Sequence, residues 1–394
     1  MRLSFLQGCE MLQFLFLLLI ACDSDSDSQQ PDSNEPDSTT QTETETQTES
    51  QTETQTETQT ETGTETQTET ETETETDTGD TKKKVPEEVI DCETVGIAPS
   101  DLSYSIVDGA RGYHGLVINN NNLMVGNLNG GLWLADTLGN TQPFTPGLGV
   151  LEQIDILDNG DLIVATQNDQ CIKRILPNGG VENIKCNFAA YGLRLGPDGL
   201  IYAANNSSLI RIDPDTGLSE TLVAGDMGGG NYPRVFDFSP DLKRLYIGSR
   251  HGSSVYYLPM EVSHGSSGEI QLTAIGEPVL FASGIGGGDA YQDGLGVDIC
   301  GNVYIPEYWA SKLYRISHNG AISVLWSSPE ATQYPHGIIW GNEINDNPLT
   351  PDGWSDTAIF MPQPYNASRV MEMELGIPYR TWSGTVINAQ WQTE

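Results

Sequence analysis

The chain has 394 residues and a formal net charge of −37, with 55 acidic and 18 basic side chains. Residues 23–80 hold 19 of the acidic side chains and no Lys or Arg, which leaves about −18 on the remainder. Because such an acidic surface repels phosphate backbones, we expect no nucleic acid partner. Cations and neutral small molecules are the favoured ligands.

The N-terminal segment has the pattern of an export signal. Arg2 is followed by an apolar run over residues 11–20, which is too short for a confident membrane span. The run ends in LIAC, which resembles the bacterial lipobox and makes Cys22 the predicted lipidated residue. Cys9 ends a weaker match, and ordinary secretion after cleavage is the alternative. The prediction is a signal peptide over 1–22 and a lipid anchor that holds the protein in the cell envelope, outside the cytoplasm.

Residues 23–80 consist of Asp-Ser repeats followed by Thr-Glu-Thr-Gln repeats, without an aromatic residue, Leu, Ile or Val. A segment of this composition cannot bury enough apolar surface to fold. As a flexible coil it spans roughly 40 Å, and the repulsion of like charges extends it further. We therefore predict a disordered linker over 23–84 that leads to one folded domain, 85–394, expected to be a monomer.

Four cysteines remain after the export segment, an even number in an exported chain. Cys171 and Cys186 lie seven residues either side of the Asn178-Gly179 step. A hairpin that turns at this step would place them opposite each other, so they are predicted to form a disulfide. By elimination the second bond joins Cys92 to Cys300. The alternative to the bond between Cys171 and Cys186 is two reduced, buried thiols.

From about residue 113 the chain alternates short β-rich runs with Gly, Asn, Asp and Pro, an all-β pattern. A recurring apolar run marks six units: LMVGN at 123, LIVAT at 162, LIYAAN at 200, LYIGS at 245, VYIPE at 303 and AIFMP at 358. Four antiparallel strands repeated about every 40 residues predict a six-bladed β-propeller. Either residues 101–107 or residues 385–391 would supply the strand that closes the ring.

Three fragments resemble blades of a known family: QDGLGVDICGNVYIPEYWASKLYRISHNG, GLRLGPDGLIYAANNSSLIRIDPDTG and FSPDLKRLYIGS. The family is that of senescence marker protein, gluconolactonase and luciferin-regenerating enzyme, and NHL-repeat propellers look similar too. The resemblance covers roughly residues 110–380 and depends mostly on turn and strand residues that many propellers share. It implies the propeller fold more specifically than it implies a reaction.

The loop into the first strand of a blade and the loop between its second and third strands lie at the same end of the blade. Counting back from the recurring run gives one residue that opens each blade. These residues are His114, Gln153, Tyr191, Arg234, Asp293 and His336. In four of the six blades the next residue is a glycine, which lets the backbone crowd the channel so that the preceding side chain points inward.

Two imidazoles and a carboxylate on separate blades form a predicted ligand set for a divalent metal, zinc or a similar ion. The residues are His114, Asp293 and His336. A bound metal would polarise a carbonyl group or activate water. Tyr191 would then donate a proton, and Arg234 would clamp an oxyanion or carboxylate.

Two further residues are predicted to bind a ligand at this face: Gln153, which opens blade two, and Glu307, at the end of a second strand. The alternative is structural. Polar residues that open blades often only hydrogen-bond to neighbouring backbones around a water-filled channel, and Glu307 would then be an exposed loop acid.

The family resemblance extends to some of these residues. The Asp of the family's fifth-blade Asp-Gly pair is a metal ligand, and Asp293-Gly294 matches it, which implies calcium as an alternative metal. The family's Asn-Gly pair in blade four is Arg234-Val235 here, and its first-blade glutamate is His114. The combination of His with Tyr and Arg resembles more closely the site of the peptidyl-hydroxyglycine lyases of the NHL class, which use histidine-bound zinc.

Two functions follow as hypotheses. The first is a metal-dependent, lactonase-like hydrolase or lyase for a small polar substrate, with a sugar lactone as one candidate. The second is a non-catalytic propeller that binds a ligand or a protein at the cell surface.

Overall fold

The computed structural model describes residues 92, 102–107, 109–111, 114–119, 123–128, 130–287, 290–328, 334–341, 354–363 and 369–380. The predicted signal peptide, the linker and Cys22 lie outside these ranges, as do residues 385–391. A division of the chain falls between Lys82 and Lys83, and every described residue belongs to the second part. Within the described ranges no helix has the length and apolar composition needed to cross a bilayer.

The strands form six sheets around one axis. The first strand in the chain is β1 (Ser105–Ile106), which belongs to the last sheet. Blade one contains β2 (Leu116–Ile118), β3 (Met124–Leu128), β4 (Gly131–Ala135) and β5 (Thr141–Thr145). Blade two contains β6 (Leu151–Ile156), β7 (Leu162–Thr166), β8 (Cys171–Ile175) and β9 (Val181–Cys186). Blade three contains β10 (Gly192–Leu195), β11 (Ile201–Ala204), β12 (Ser208–Ile212) and β13 (Ser219–Ala224).

The remaining strands complete the ring. Blade four contains β14 (Tyr232–Phe238), β15 (Arg244–Arg250), β16 (Ser254–His264), β17 (Ile270–Ala274) and β18 (Val279–Ser283). Blade five contains β19 (Gly296–Val297), β20 (Val303–Glu307), β21 (Lys312–Ile316) and β22 (Ile322–Ser327). Blade six contains β23 (Ile339–Trp340), β24 (Ala358–Gln363), β25 (Arg369–Glu374) and the first strand of the chain. Neighbouring strands are antiparallel, and the predicted all-β, six-bladed propeller is confirmed.

The recurring run of each blade is its second strand, and it is buried on both faces. In β7, Leu162 and Val164 belong to the apolar cluster shared with blade one, whereas Ile163 and Ala165 belong to the cluster shared with blade three. Successive side chains of a strand point to opposite faces, so a strand between two neighbouring blades needs apolar residues throughout. This is why the run marks the blades so clearly in the sequence.

An apolar cluster fills each of the six gaps between neighbouring blades. The cluster between the last blade and the first combines Ile339 and Phe360 with Leu116 and Ile118. The described residues therefore form a closed ring in which no blade exposes a bare apolar face.

The N-terminal side of the domain closes the ring. Ser105 and Ile106 of β1 pair with Glu372 and Met371 of β25, so β1 is the outermost strand of blade six. The amide of Val107 extends this pairing with a hydrogen bond of 3.0 Å to the carbonyl oxygen of Val370. Of the two predicted closing segments, the first supplies the strand, through Ser105–Ile106 and Val107.

Blade four departs from the predicted four-strand repeat. Its third strand, β16, has 11 residues and pairs with β15 along one edge and with two different strands along the other. Residues Met260–His264 pair with β17 as an extended hairpin, whereas residues Ser254–Tyr257 pair with β18. The hairpin is an insertion between the third strand of the blade and its outermost strand.

Both predicted disulfides are confirmed. Cys171 and Cys186 stand opposite each other in β8 and β9 and are bonded. The hairpin turns at Gly179, whose φ of 81° favours glycine. Cys92 is bonded to Cys300, in the turn between β19 and β20. This second bond fastens the beginning of the domain to blade five.

A buried ionic cluster lies toward the far ends of the first strands. Asp237, near the end of β14, forms an ion pair with Arg380 and accepts a hydrogen bond of 3.2 Å from the Tyr379 hydroxyl. Arg194 of β10 places its Nε 3.4 Å from the same carboxylate and donates to the Tyr379 hydroxyl at 2.7 Å. The segment that follows β25 is thereby fastened under the channel.

Candidate functional site

Glycines bring the backbones of neighbouring blades together where the first strands begin. A Cβ added to Gly115 would lie 2.6 Å from the carbonyl oxygen of Glu152, in the next blade. A Cβ added to Gly337, whose φ is +49°, would lie 2.7 Å from the carbonyl oxygen of His114. Only a residue without a side chain fits such contacts. The preceding side chains are consequently held close to one another.

The imidazole rings of His114 and His336 lie face to face at the beginning of blades one and six. Their centroids are 4.3 Å apart, and the ring planes are inclined by 32°. Both side chains are buried, with 8% and 3% of their surface exposed. The two histidines predicted for one site are thus brought together by the closure of the ring.

Each imidazole is paired through Nδ1 with a carboxylate from another blade. Nδ1 of His114 contacts Oε2 of Glu152, and Nδ1 of His336 contacts Oδ2 of Asp293. A carboxylate at Nδ1 favours the tautomer that carries its proton there, so the neutral ring has its lone pair on Nε2. The arrangement resembles the orientation of a catalytic histidine by a buried acid.

Arg234 is the second partner of Asp293. Its Nε and Nη2 donate to Oδ1 of the carboxylate at 2.9 and 2.5 Å. Its third nitrogen, Nη1, donates to Oδ1 of Asn206 at 3.1 Å. The result is a continuous buried chain from Arg234 through Asp293 to His336.

Two tyrosine rings enclose the Arg234 guanidinium. Its Cζ lies 4.3 Å from the centroid of the Tyr191 ring and 4.1 Å from that of Tyr291. Cation–π contacts of this kind are strongest where water is excluded, and Arg234 is only 2% exposed. The predicted roles of Tyr191 as a proton donor and Arg234 as a clamp stay predictions. In the structure these residues contact each other and the carboxylate of Asp293.

Burial and nearby charges move the pKa values of the two imidazoles in opposite directions. Burial opposes the charged form of His114, but the Glu152 carboxylate outweighs it, so the pKa of His114 lies above its usual value. For His336 burial dominates over the attraction of Asp293, and its pKa lies below the usual value. Burial also opposes ionisation of Asp293, yet Arg234 and His336 hold its pKa well below its usual range. One imidazole therefore keeps its proton more strongly than the other.

The predicted metal ligands lie close together, but the carboxylate of Asp293 and Nδ1 of each histidine already have partners. Asp293 is engaged by Arg234 and His336, and Nδ1 of His114 by Glu152. In the part of the chain that the structure describes, no group of three His, Cys, Asp or Glu side chains is arranged to hold a metal ion. Binding of zinc or calcium stays a prediction. These residues fit a metal ion poorly, because the Arg234 guanidinium already pairs with the Asp293 carboxylate.

Gln153 lines the central channel below this cluster. At the level of Gln153, Gly192 and Gly337 the channel encloses a cavity of about 20 Å³, room for about one water molecule. A ligand would therefore meet the site at the channel mouth and not within the ring. A larger cavity of about 300 Å³, lined by Met124 and Trp133 among others, lies on blade one, and none of the predicted site residues lines it.

Glu307 is buried, with only 1% of its surface exposed, and is not the loop acid of the structural alternative. Its Oε1 accepts hydrogen bonds from the amides of Tyr291 at 2.9 Å and Trp309 at 3.2 Å. Its Oε2 accepts one from the amide of Ala310 at 2.5 Å. The predicted role of Glu307 in ligand binding stays a prediction. Its contacts fix the loop that follows β20.

That loop begins an aromatic rim beside the histidines, which we define as Tyr291, Tyr308, Trp309 and Tyr334. Tyr308 and Tyr334 are stacked with centroids 4.4 Å apart, and Tyr308 meets the His336 ring edge to face at 5.0 Å. Trp309 lies 4.7 Å from Tyr308 and is 57% exposed. The rim presents an exposed indole next to the buried imidazole pair.

Three residues of the cluster escaped prediction. Glu152 was missed because a β-bulge shifts the register between Leu151 and Ile154, so two adjacent residues open blade two instead of one. Tyr291 precedes its blade-opening aspartate by two positions, and Asn206 lies in a turn between strands. The Glu-Gln pair at 152–153 was a usable signal for the first of them. The places of Tyr291 and Asn206 in the cluster depend on contacts between blades, which the sequence does not show.

Together the fold and the cluster define a six-bladed β-propeller with a polar site at one mouth of its channel. No family model and no curated protein sequence matches the chain. Among solved structures, a gluconolactonase from Xanthomonas campestris is similar with a TM-score of 0.53 and 13% identity, over 72% of this chain and 93% of that one. Regucalcin, a calcium-binding protein from Agrobacterium tumefaciens, has a TM-score of 0.53 and 11% identity, over 71% and 95%. At such identities the likeness shows the fold, and the predicted resemblance to gluconolactonase-like propellers is confirmed.

Proposed function

We propose that the protein is a lactonase-like hydrolase or lyase that acts on a small polar substrate at the channel mouth. The observation that carries the proposal is the pair of adjacent imidazoles, each oriented by a carboxylate from a different blade. Ordinary backbone hydrogen bonding around a channel does not need two such pairs facing each other. General acid–base chemistry can use them, with one imidazole as the base and the other as the acid.

The opposite pKa shifts suggest separate roles for the two rings. His336, oriented by Asp293, is the base that takes a proton from an attacking water molecule or from a carbon beside a carbonyl group. His114, held by Glu152, is the acid that delivers a proton to the departing oxygen. In hydrolysis the water oxygen bonds to the carbonyl carbon as the bond from that carbon to the leaving oxygen breaks.

A metal takes no part in this proposal. A resident divalent ion would polarise a carbonyl group, but the carboxylate predicted to hold it is paired with a buried guanidinium. Arg234 acts as a positioning residue that aligns Asp293 against His336. The neighbouring gluconolactonase structure supports the proposal only by sharing the fold.

The aromatic rim favours a second candidate function, non-catalytic binding of a small ligand. Trp309 exposes 57% of its surface beside Tyr308, whereas both imidazoles are buried. A binding propeller would use the rim and keep the histidines as a structural support. This candidate predicts ligand binding without turnover.

We also propose that the domain is displayed outside the cytoplasm by a lipid on Cys22. The support comes from the LIAC segment and from two disulfides, which persist in oxidising compartments. Labelling of cells with a radioactive or alkyne-tagged fatty acid, comparing wild type with Cys22→Ser, tests the anchor. A labelled Cys22→Ser variant contradicts it.

Hydrolysis of a panel of sugar lactones, including D-glucono-1,5-lactone, tests the proposed function in a pH-indicator assay. His114→Ala and His336→Ala should each lower kcat/KM by about 10²–10⁴-fold. The matched control is His264→Ala, because His264 lies exposed in β16, away from the site. Full activity in both site variants contradicts the proposal. Binding of a lactone by wild type without turnover favours the second candidate.

A further inference from the structure

The Asp293 carboxylate has both oxygens in use. Oδ1 accepts from Nε and Nη2 of Arg234, and Oδ2 pairs with Nδ1 of His336. Two donors of one guanidinium on one oxygen fix the positive charge directly against the carboxylate. A divalent cation that used Asp293 as a ligand would have to displace this guanidinium or share the carboxylate with it.

The guanidinium is not free to leave. Tyr191 and Tyr291 lie within 4.3 Å and 4.1 Å of its Cζ, and Nη1 donates to Asn206 at 3.1 Å. Only 2% of the Arg234 surface is exposed. Withdrawal would break every one of these contacts and leave Asp293 buried beside a histidine alone. A divalent ion next to the retained guanidinium would be repelled, because two cations would share one carboxylate in a medium that screens poorly.

We propose that Arg234 is a built-in cation that stands in the position a divalent metal would take, so that the site is complete without a metal ion. Its charge balances Asp293, and its planar fork sets the orientation of that carboxylate toward His336. Arg234 is thus a positioning residue. The inference deepens the proposed function, but it concerns cation binding and does not need turnover to be tested.

Substitution of the cation by a neutral oxygen ligand should convert the site. Arg234→Asn removes the positive charge, releases Oδ1 of Asp293 and turns an amide oxygen toward the space that the guanidinium leaves for an ion. Carboxylate, amide oxygen and imidazole are donors that divalent metals accept. Arg234→Lys keeps the charge and is the matched control, and Arg234→Asn combined with Asp293→Asn removes the carboxylate again.

The experiment uses the purified full chain, stripped with EDTA and then titrated separately with CaCl₂, MnCl₂ and ZnCl₂. Binding is followed by calorimetry, by metal content after gel filtration and by the shift in Tm. Wild type and Arg234→Lys should bind no more metal than Asp293→Asn, which measures adventitious binding by the acidic surface. Arg234→Asn should gain about one equivalent and a metal-dependent rise in Tm, and the double variant should lose both.

Two results would overturn the inference. One is a stoichiometric metal on wild type that Asp293→Asn abolishes, and the other is a folded Arg234→Asn protein that gains no metal. If Arg234→Asn does not fold, Arg234→Gln takes its place with the same expectation. Failure of the proposed function is distinguishable from failure of this inference. A protein without catalytic activity would still show the metal binding, or the lack of it, that is predicted for wild type and for each variant.

Discussion

His114 and His336 begin the first and last blades, and their rings lie against each other, tilted by 32°, with centroids 4.3 Å apart. The contact exists only because β1 closes the ring and brings blade six beside blade one. Each ring also has its own acid, Glu152 for His114 and Asp293 for His336. The site thus combines side chains from blades one, two, five and six, and its geometry depends on closure of the whole propeller.

The pH dependence of turnover follows from the opposite pKa shifts of the two imidazoles. His336 must be neutral to act as a base, so activity should rise with pH through its lowered pKa. His114 must be protonated to act as an acid, so activity should fall as pH passes its raised pKa. We expect a bell-shaped profile of kcat/KM, with its maximum between the lowered pKa of His336 and the raised pKa of His114.

A variant separates the two limbs of this profile. Glu152→Gln removes the carboxylate that does most to raise the pKa of His114, so the alkaline limb should move to lower pH. The acid limb should move in the same direction but less, because Asp293 and not Glu152 is the main carboxylate that raises the pKa of His336. An alkaline limb that does not move in Glu152→Gln would show that His114 is not the acid.

The sequence predicted the scaffold well because the signal of a propeller is local. The six apolar runs stand out since each second strand is buried on both faces, as Leu162 and Ile163 illustrate. Asn178-Gly179 likewise fixed one hairpin and, with it, the bond between Cys171 and Cys186. Such features depend on residues that are near each other in the chain.

The site was predicted only in part, because its contacts join distant segments. The side chains that open blades one, five and six do meet, since equivalent strands of a closed ring lead to one axis. The partner of Asp293 could not be predicted, because nothing in the sequence decides whether a guanidinium or a metal ion balances the charge of that carboxylate. The bulge beside Leu151 that turns Glu152 toward His114 leaves only the Glu-Gln pair at 152–153 as its signal in the chain.

Trp309 should contribute to ligand binding and little to stability, because it is 57% exposed on the aromatic rim. We expect Trp309→Ala to raise KM about 5-fold, as loss of about 1 kcal/mol of aromatic contact implies, with kcat nearly unchanged. The matched control is Leu138→Ala, which removes an apolar side chain that is 83% exposed in the turn between β4 and β5, at the other end of the blade. Equal KM values for both variants would exclude the rim from binding.

Glu307 should matter for stability, because its buried carboxylate accepts three backbone amides. Glu307→Gln keeps the shape but removes the charge, so we expect a loss of about 1–3 kcal/mol in the free energy of unfolding. Urea denaturation followed by circular dichroism measures it. Glu261→Gln, at an exposed position in β16, is the control and should change little. A Glu307→Gln protein as stable as wild type would mean that a neutral amide oxygen satisfies these backbone amides as well as the carboxylate does, and would contradict the prediction.

The two disulfides should differ in what their removal does to stability. The bond from Cys92 to Cys300 closes a loop with a sequence separation of 208, against 15 for Cys171 to Cys186. Loop-closure entropy grows with the logarithm of loop length, so the long bond should contribute about 5 kcal/mol and the short one about 3 kcal/mol. Tm values of the Cys92→Ser/Cys300→Ser and Cys171→Ser/Cys186→Ser proteins test this order. A larger loss of Tm for the short loop would show that cross-strand packing in β8 and β9, and not chain entropy, determines the contribution.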